Sequence, residues 1–248
     1  MFDIEGCVYT NPDKLEYLIH AKQILLKDSA FDKANSQNLP INGSLEVLDL
    51  RGTPTTTTNI ANCETLKTLY VSYKCTSLIL NNLPNLTTIV IENEVGRVSL
   101  LQNITINGCN KLTSVPIASN VKNVNISNCS LLTTISSGLN DYANIETFIA
   151  NVGVPNLDSQ DIFIGIYTNQ HLMSEPNVVE IAFSNVSWSG LNGDQFDFLL
   201  SIDSLKNTSE VKKLTGKIAA ATSGNPIDFS RKLKLIRKFG NVDDTASA

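Results

Sequence analysis

The side chains able to do acid–base, metal or nucleophilic chemistry are few in this chain of 248 residues. It holds two histidines, His20 and His171, five cysteines, and close acidic pairs that include Glu92/Glu94, Asp158/Asp161 and Asp194/Asp197. Glycoside hydrolysis needs two carboxylates facing each other across a cleft, and closeness in sequence supplies no cleft. Asp158/Asp161 and Asp194/Asp197 stand at the start of predicted helices, where carboxylates cap free backbone N–H groups and meet the positive end of the dipole. Neither H-E-x-x-H nor G-x-S-x-G nor G-x-G-x-x-G occurs, and Gly216-Lys217 lacks the upstream glycine and following Ser/Thr of a phosphate loop. The stretch from Asn192 to Asp197 lacks the ligand spacing and closing Glu of a calcium loop. A nucleophilic pair such as Cys7 or Cys129 with His20 or His171 would have to be assembled from distant parts of the chain. No catalytic residue, cofactor or metal ligand is assigned, and the chain reads as a non-enzyme.

The cysteines (Cys7, Cys63, Cys75, Cys109, Cys129) are odd in number and contain no C-x-x-C, so neither a disulfide framework nor structural zinc is indicated. Charge is equally sparse. Lys and Arg number 19 against 24 Asp and Glu, a net charge of −5, while Asn, Ser and Thr together make 72 residues. Neutral polarity replaces charge, and no cationic stripe exists to track phosphates, so nucleic-acid binding is disfavoured. The first ten residues carry Asp3 and Glu5 with no basic start or apolar run, which argues against a signal peptide. No stretch approaches 18 apolar residues, so membrane insertion is not expected.

What positions these residues is a repeat. Asn62-Cys63-Glu64-Thr65-Leu66, Asn82-Leu83-Pro84-Asn85-Leu86, Gly108-Cys109-Asn110-Lys111-Leu112 and Asn128-Cys129-Ser130-Leu131-Leu132 share one pattern, at steps of 20, 26 and 20 residues. Apolar residues follow three and, mostly, five positions later: Leu69 and Val71, Ile89 and Ile91, Val115 and Ile117, then Ile135. Leu45, Leu48 and Leu50 start the series. A second set of alternations lies between: Leu78/Leu80, Val98/Leu100, Ile104/Ile106 and Val124/Ile126. Each coil therefore carries two strands. A unit of about 20 residues cannot bury its own apolar edge, but stacking parallel coils about 4.8 Å apart makes a continuous core. No Phe or Trp occurs between Phe31 and Phe148, as suits a thin coil. Three cysteines at equivalent positions read as small buried hydrophobes in the reduced state, and Asn62, Asn82 and Asn128 suit bends where side-chain amides satisfy backbone groups and stack as a ladder.

The L-x-x-L-x-L strands, with "NCSLLTTI" and "GCNKLTSV", resemble leucine-rich-repeat proteins, particularly the irregular BspA-type repeats of bacterial surface proteins. The resemblance covers roughly residues 45–150 and implies a recognition scaffold. The expected fold class is α/β: a leucine-rich-repeat-like right-handed parallel β-solenoid with helical flanking segments. Its parts are a strand–helix cap at 1–44, the solenoid at 45–150 and an α/β cap or second lobe at 151–248. In the last, six of the nine Phe and the one Trp accompany helical patterns at 158–172, 194–206 and 227–239. Residues 12–33 read as a helix followed by a short strand.

Alternation sends to solvent the residues between the buried ones: Val47, Asp49 and Arg51, then Thr68, Tyr70 and Ser72, then Thr88, Val90 and Glu92, then Ser114 and Pro116. The candidate ligand-binding residues are Asp49, Tyr70, Thr88 and Glu92. Tyr70 would stack on a sugar or anchor a protein, with the two carboxylates as acceptors at the patch edge. The leading functional expectation is a non-catalytic module binding protein or glycan at a bacterial cell surface. The alternatives are a structural or receptor-facing part of a bacteriophage virion, contacting neighbouring subunits, and, more remotely, a glycan-acting enzyme. Each places the chain outside the cell or in a virion, where it could be a segment of a longer protein.

Overall fold

The structure, a computed structural model, describes residues 2–3, 8–9, 20–31, 44–136, 138, 140–183, 193–202 and 204–205. It is a parallel β-solenoid of about five turns. In chain order the strands are β1 (Phe2–Asp3), β2 (Val8–Tyr9), β3 (Gln23–Leu25), β4 (Ala30–Phe31), β5 (Val47–Asp49), β6 (Thr57–Ala61), β7 (Thr68–Val71), β8 (Ser77–Asn81) and β9 (Thr88–Ile91). They continue with β10 (Asn103–Asn107), β11 (Ser114–Pro116), β12 (Asn123–Ser127), β13 (Thr134–Ser136), β14 (Thr147–Val152), β15 (Glu180–Phe183) and β16 (Ser204–Leu205). Helix α1 (Ser159–Gln170) lies between β14 and β15, and α2 (Gly193–Ser201) between β15 and β16.

The two strands of each coil separate into two sheets. The first runs β1-β3-β5-β7-β9, the second β16-β15-β14-β12-β10-β8-β6, and β11-β13 and β2-β4 form short pairs. The pairings are parallel and follow the repeat: Thr57 lies opposite Ser77, Ser77 opposite Asn103, and Asn103 opposite Asn123. Those registers reproduce the 20, 26 and 20 steps. Facing inward are the rows Leu78–Ile104–Val124–Phe148 and Ile60–Leu80–Ile106–Ile126 from the second sheet, and Ile24–Leu48–Leu69–Ile89 from the first. All are buried. Of the side chains expected inside, Leu66, Leu69, Val71, Leu86, Ile89, Leu112, Val115, Ile117, Val124 and Ile126 are buried. Ile91 is only partly covered, because a loop at 93–98 leads the chain away directly after it.

The asparagines at the bends have a stronger reason than amide chemistry. Asn62, Asn82 and Asn128 have φ of 56°, 53° and 51°, and Gly108 and Gly153 take the same corner at 72° and 66°. This left-handed region disfavours side chains other than Asn and Asp and costs glycine nothing. It aims each backbone N–H at the next coil: Asn62 N donates to Asn81 O at 3.0 Å, Asn82 N to Asn107 O at 2.8 Å, and Gly108 N to Ser127 O at 3.1 Å. The side-chain ladder is discontinuous. Asn82 Nδ2 donates to Asn62 Oδ1 at 2.9 Å and Asn128 Nδ2 to Asn107 Oδ1 at 2.8 Å. Elsewhere hydroxyls and amides stitch one coil to carbonyls of the one before, as Thr65 to Leu45, Thr87 to Lys67, Asn85 to Glu64 and Asn156 to Ser130. That is the structural use of a chain rich in Asn and Thr.

From β14 onward the crossover between second-sheet strands runs through a helix. The second sheet crosses residue 150 inside β14 without a break, so the boundary expected there falls within a strand. Helix α1 matches the 158–172 pattern, and Asp158 caps it as expected, its Oδ1 accepting from Asp161 N at 3.1 Å. The 194–206 pattern is helical only to Ser201, after which the chain adds β16 to the sheet. Aromatic rings enter here because a helix stands farther from the sheet than a strand: Phe148 meets Phe183 at 5.7 Å and Phe163 meets Phe198 at 6.2 Å. Buried Gln170 ties α1 to its flanks, donating to Tyr142 O and Ile145 O at 2.9 and 3.0 Å and accepting from Val178 N at 2.9 Å. The helices expected near residue 12 and over 227–239 lie outside the described residues.

Cys63, Cys75, Cys109 and Cys129 are free and buried. Burial pushes the Cys75 thiol up from its ordinary pKa, and Cys109 is raised by its hydrogen bond with Cys129 and then by burial. Because all four are buried, the native chain should leave them unmodified, whereas thiol labelling of the unfolded, unreduced chain should count five groups. A count of three would reveal a bridge.

Candidate recognition face

The outward side of the first sheet assembles two rows. Val47, Thr68 and Thr88 are in register, as are Asp49, Tyr70 and Val90. Thr88 is exposed and Tyr70 half-buried, so the structure does bring the two onto one surface. Asp49 and Glu92 occupy the expected ends of that surface but are only 4% exposed. They are not free acceptors at the patch edge.

Asp49 is held by its own neighbour. Arg51 Nε donates to both carboxylate oxygens at 3.0 and 3.1 Å, a guanidinium NH2 group donates to Oδ2 at 2.5 Å, and Arg51 N donates to Oδ1 at 3.0 Å. This bidentate fit raises the Arg51 pKa, chiefly through the hydrogen bond to Asp49. The guanidinium carbon lies 4.4 Å from the centre of the Tyr70 ring. The guanidinium therefore covers one face of the Tyr70 ring.

Glu92 organises a larger cluster. It accepts from Gly52 N at 2.7 Å, Tyr73 N at 3.1 Å and an Arg97 guanidinium nitrogen at 2.8 Å. The same nitrogen reaches Asp28 at 2.6 Å. The two acids hold the Arg97 pKa above its ordinary value, Glu92 contributing most. Gly52 is required here: its φ is +68°, and a Cβ would sit 2.0 Å from Asp28 Oδ1 and 3.0 Å from Arg97. Asp28, Gly52, Tyr73 and Glu92 come from four consecutive coils, so Arg97 works as a strut along the solenoid. Ser72, expected outside, is fully buried, its hydroxyl donating to Thr53 O at 2.7 Å.

Sequence reading missed the strut because alternation fixes which way a strand residue points and says nothing about loops that fold back over it. The one available signal was the 26-residue step, whose six extra residues are this loop. Both buried carboxylates are consumed by guanidinium and backbone N–H groups, and their role in this geometry is to hold the corner. What remains outward is a nearly neutral strip of Val47, Thr68, Thr88 and Val90 beside the Tyr70–Arg51 stack. The hydroxyls of Thr68 and Tyr70 have no protein hydrogen-bond partner among the described residues. No group of three or more His, Cys, Asp or Glu among the described residues could hold a metal ion. No helix among them is long and apolar enough to cross a membrane. Comparison with known protein families, curated proteins and solved structures returns no match to this chain.

Proposed function

We propose that the chain is a non-catalytic recognition module, a rigid repeat scaffold whose first-sheet strip binds protein or glycan at a bacterial cell surface. One observation carries the reading: residues 20 or 21 apart in sequence align in register into a single strip, with Thr68 and Tyr70 hydroxyls uncommitted within it. A preorganised strip binds without ordering loops, which lowers the entropic cost of association. The revised contact set is Thr68, Tyr70 and Thr88, with Arg51 as a stacked donor and Asp49 and Glu92 in support. The likeness to irregular leucine-rich repeats belongs to this reading, as does right-handed winding, which parallel crossovers adopt almost without exception.

The test compares the chain with a Thr68→Glu/Thr88→Glu variant for binding to whole bacterial cells and to an immobilised glycan array. The two new carboxylates stand opposite each other in adjacent strands, so melting should fall slightly while the core and the fold are retained, which circular dichroism checks. Binding by the parent and at least a tenfold loss in the variant is the expected result. Equal binding by both, or none by the parent, would overturn the reading.

A further inference from the structure

The outward face of the second sheet carries no charge where β6, β8, β10, β12 and β14 stack. Its middle row runs Asn59–Ile79–Thr105–Asn125–Ile149 in register across these strands. Every other outward position in them is Thr, Ser, Asn, Ala or Val, in a chain of which 17% is Asp, Glu, Lys or Arg. Lys122 and Glu146, just before β12 and β14, neutralise each other at 2.7 Å. The rows on either side of the middle one contain hydrogen-bonded ladders. Asn123 Nδ2 donates to Asn103 Oδ1 at 2.9 Å while its Oδ1 accepts from Thr147 Oγ1 at 2.9 Å, and Asn107 Oδ1 accepts from Ser127 Oγ at 3.0 Å. An amide has two N–H donors and two lone pairs, so Asn123 keeps one of each after these bonds. Thr105 and Asn125 are exposed between the ladders, with Ile79 and Ile149 half-covered in the same row.

This surface matches one kind of partner. Without a cation it has nothing to hold phosphate or an anionic polymer, and without a carboxylate nothing to hold an amine. Without a ring or an Arg it lacks the anchors on which protein interfaces depend. It presents amides, hydroxyls and aliphatic carbon, repeated at each strand step of about 4.8 Å. A sugar polymer offers the complement: uncharged hydroxyls, C–H faces and a regular repeat. We propose that the outward face of the second sheet binds a neutral polysaccharide lying along the stack, its hydroxyls bonded to the ladder amides and its C–H faces on Ile79 and Ile149. Each contact alone is weak, because amides and hydroxyls exchange water for sugar with little net gain. Affinity comes from many contacts along one polymer, so the ligand has to span several coils and short oligosaccharides bind poorly. The site lies on the second sheet and does not depend on the first-sheet strip.

Affinity electrophoresis in native gels cast with hydroxyethylcellulose, dextran or mannan tests this on the whole chain, which its net charge of −5 carries toward the anode. At least one of the three neutral polymers should retard it. Thr105→Glu and Asn125→Lys each put a long charged side chain at the centre of the face, one of each sign. Each should raise the polymer concentration needed for half-maximal retardation at least tenfold, while circular dichroism shows the fold intact. The Thr68→Glu/Thr88→Glu variant should be retarded like the parent, which keeps this proposal separate from the first-sheet reading. Retardation by none of the three polymers would overturn the proposal. So would either single variant retarded like the parent, or loss of retardation in the first-sheet variant.

Discussion

Replacing Glu92 by Ala should cost about 3 kcal/mol, the range for stripping one partner from a buried charged network, and lower the melting temperature by about 10 °C in a chain of this size. The loss has two parts. Gly52 N and Tyr73 N would lose their acceptor at a site where the carboxylate is only 4% exposed, and Arg97 would keep Asp28 alone. Glu92→Gln should fall between, since an amide oxygen still accepts but carries no charge toward Arg97. Glu94→Ala, on the exposed side of the same loop, should change stability by less than about 0.5 kcal/mol. Thermal melts of the three variants check the order. Equal melting of the Glu92→Ala and Glu94→Ala variants would remove the strut from the description.

Ile106→Ala should cost about 2–5 kcal/mol. Ile106 is fully buried between Leu80 and Ile126 in neighbouring strands, and a thin coil has no mobile layer to collapse into the void. Ile79 is its contrast. It belongs to an adjacent strand but points outward and is half-covered, so Ile79→Ala should cost about 1 kcal/mol or less. Denaturant titration separates them. Similar losses at both positions would mean that the alternation, and with it the assignment of inner and outer faces, is wrong.

The stacking was legible in the sequence because its determinants are local. Leu, Ile and Val at every second position mark a strand with one buried face, and the 20-residue step between Cys109 and Cys129 reappears as the register between Asn103 and Asn123. The corners were half legible: Asn62, Asn82 and Asn128 marked the bends, while their left-handed backbone, which explains why glycine replaces Asn at Gly108, needed coordinates. The site was read least well. Parity placed Asp49 and Glu92 outward, yet what covers them is Arg51 two residues on and Arg97 from a loop, and no period encodes a side chain folding back. Tyr70 was placed on the correct surface, but its ring orientation depends on the stacked guanidinium. The change from strand to helical crossover after β14 was visible as rings returning at Phe148 and Phe163, whereas the continuity of the second sheet through it was not.

Parallel, in-register stacking underlies every statement about faces, and one distance tests it. Thr57 and Thr147 are 90 residues apart, with four strand-to-strand steps between them, through Ser77, Asn103 and Asn123. Spin labels at these two positions should show a narrow distribution centred near 19 Å, four steps of about 4.8 Å each. A broad distribution, or a centre beyond about 30 Å, would contradict the solenoid and the strip built on it.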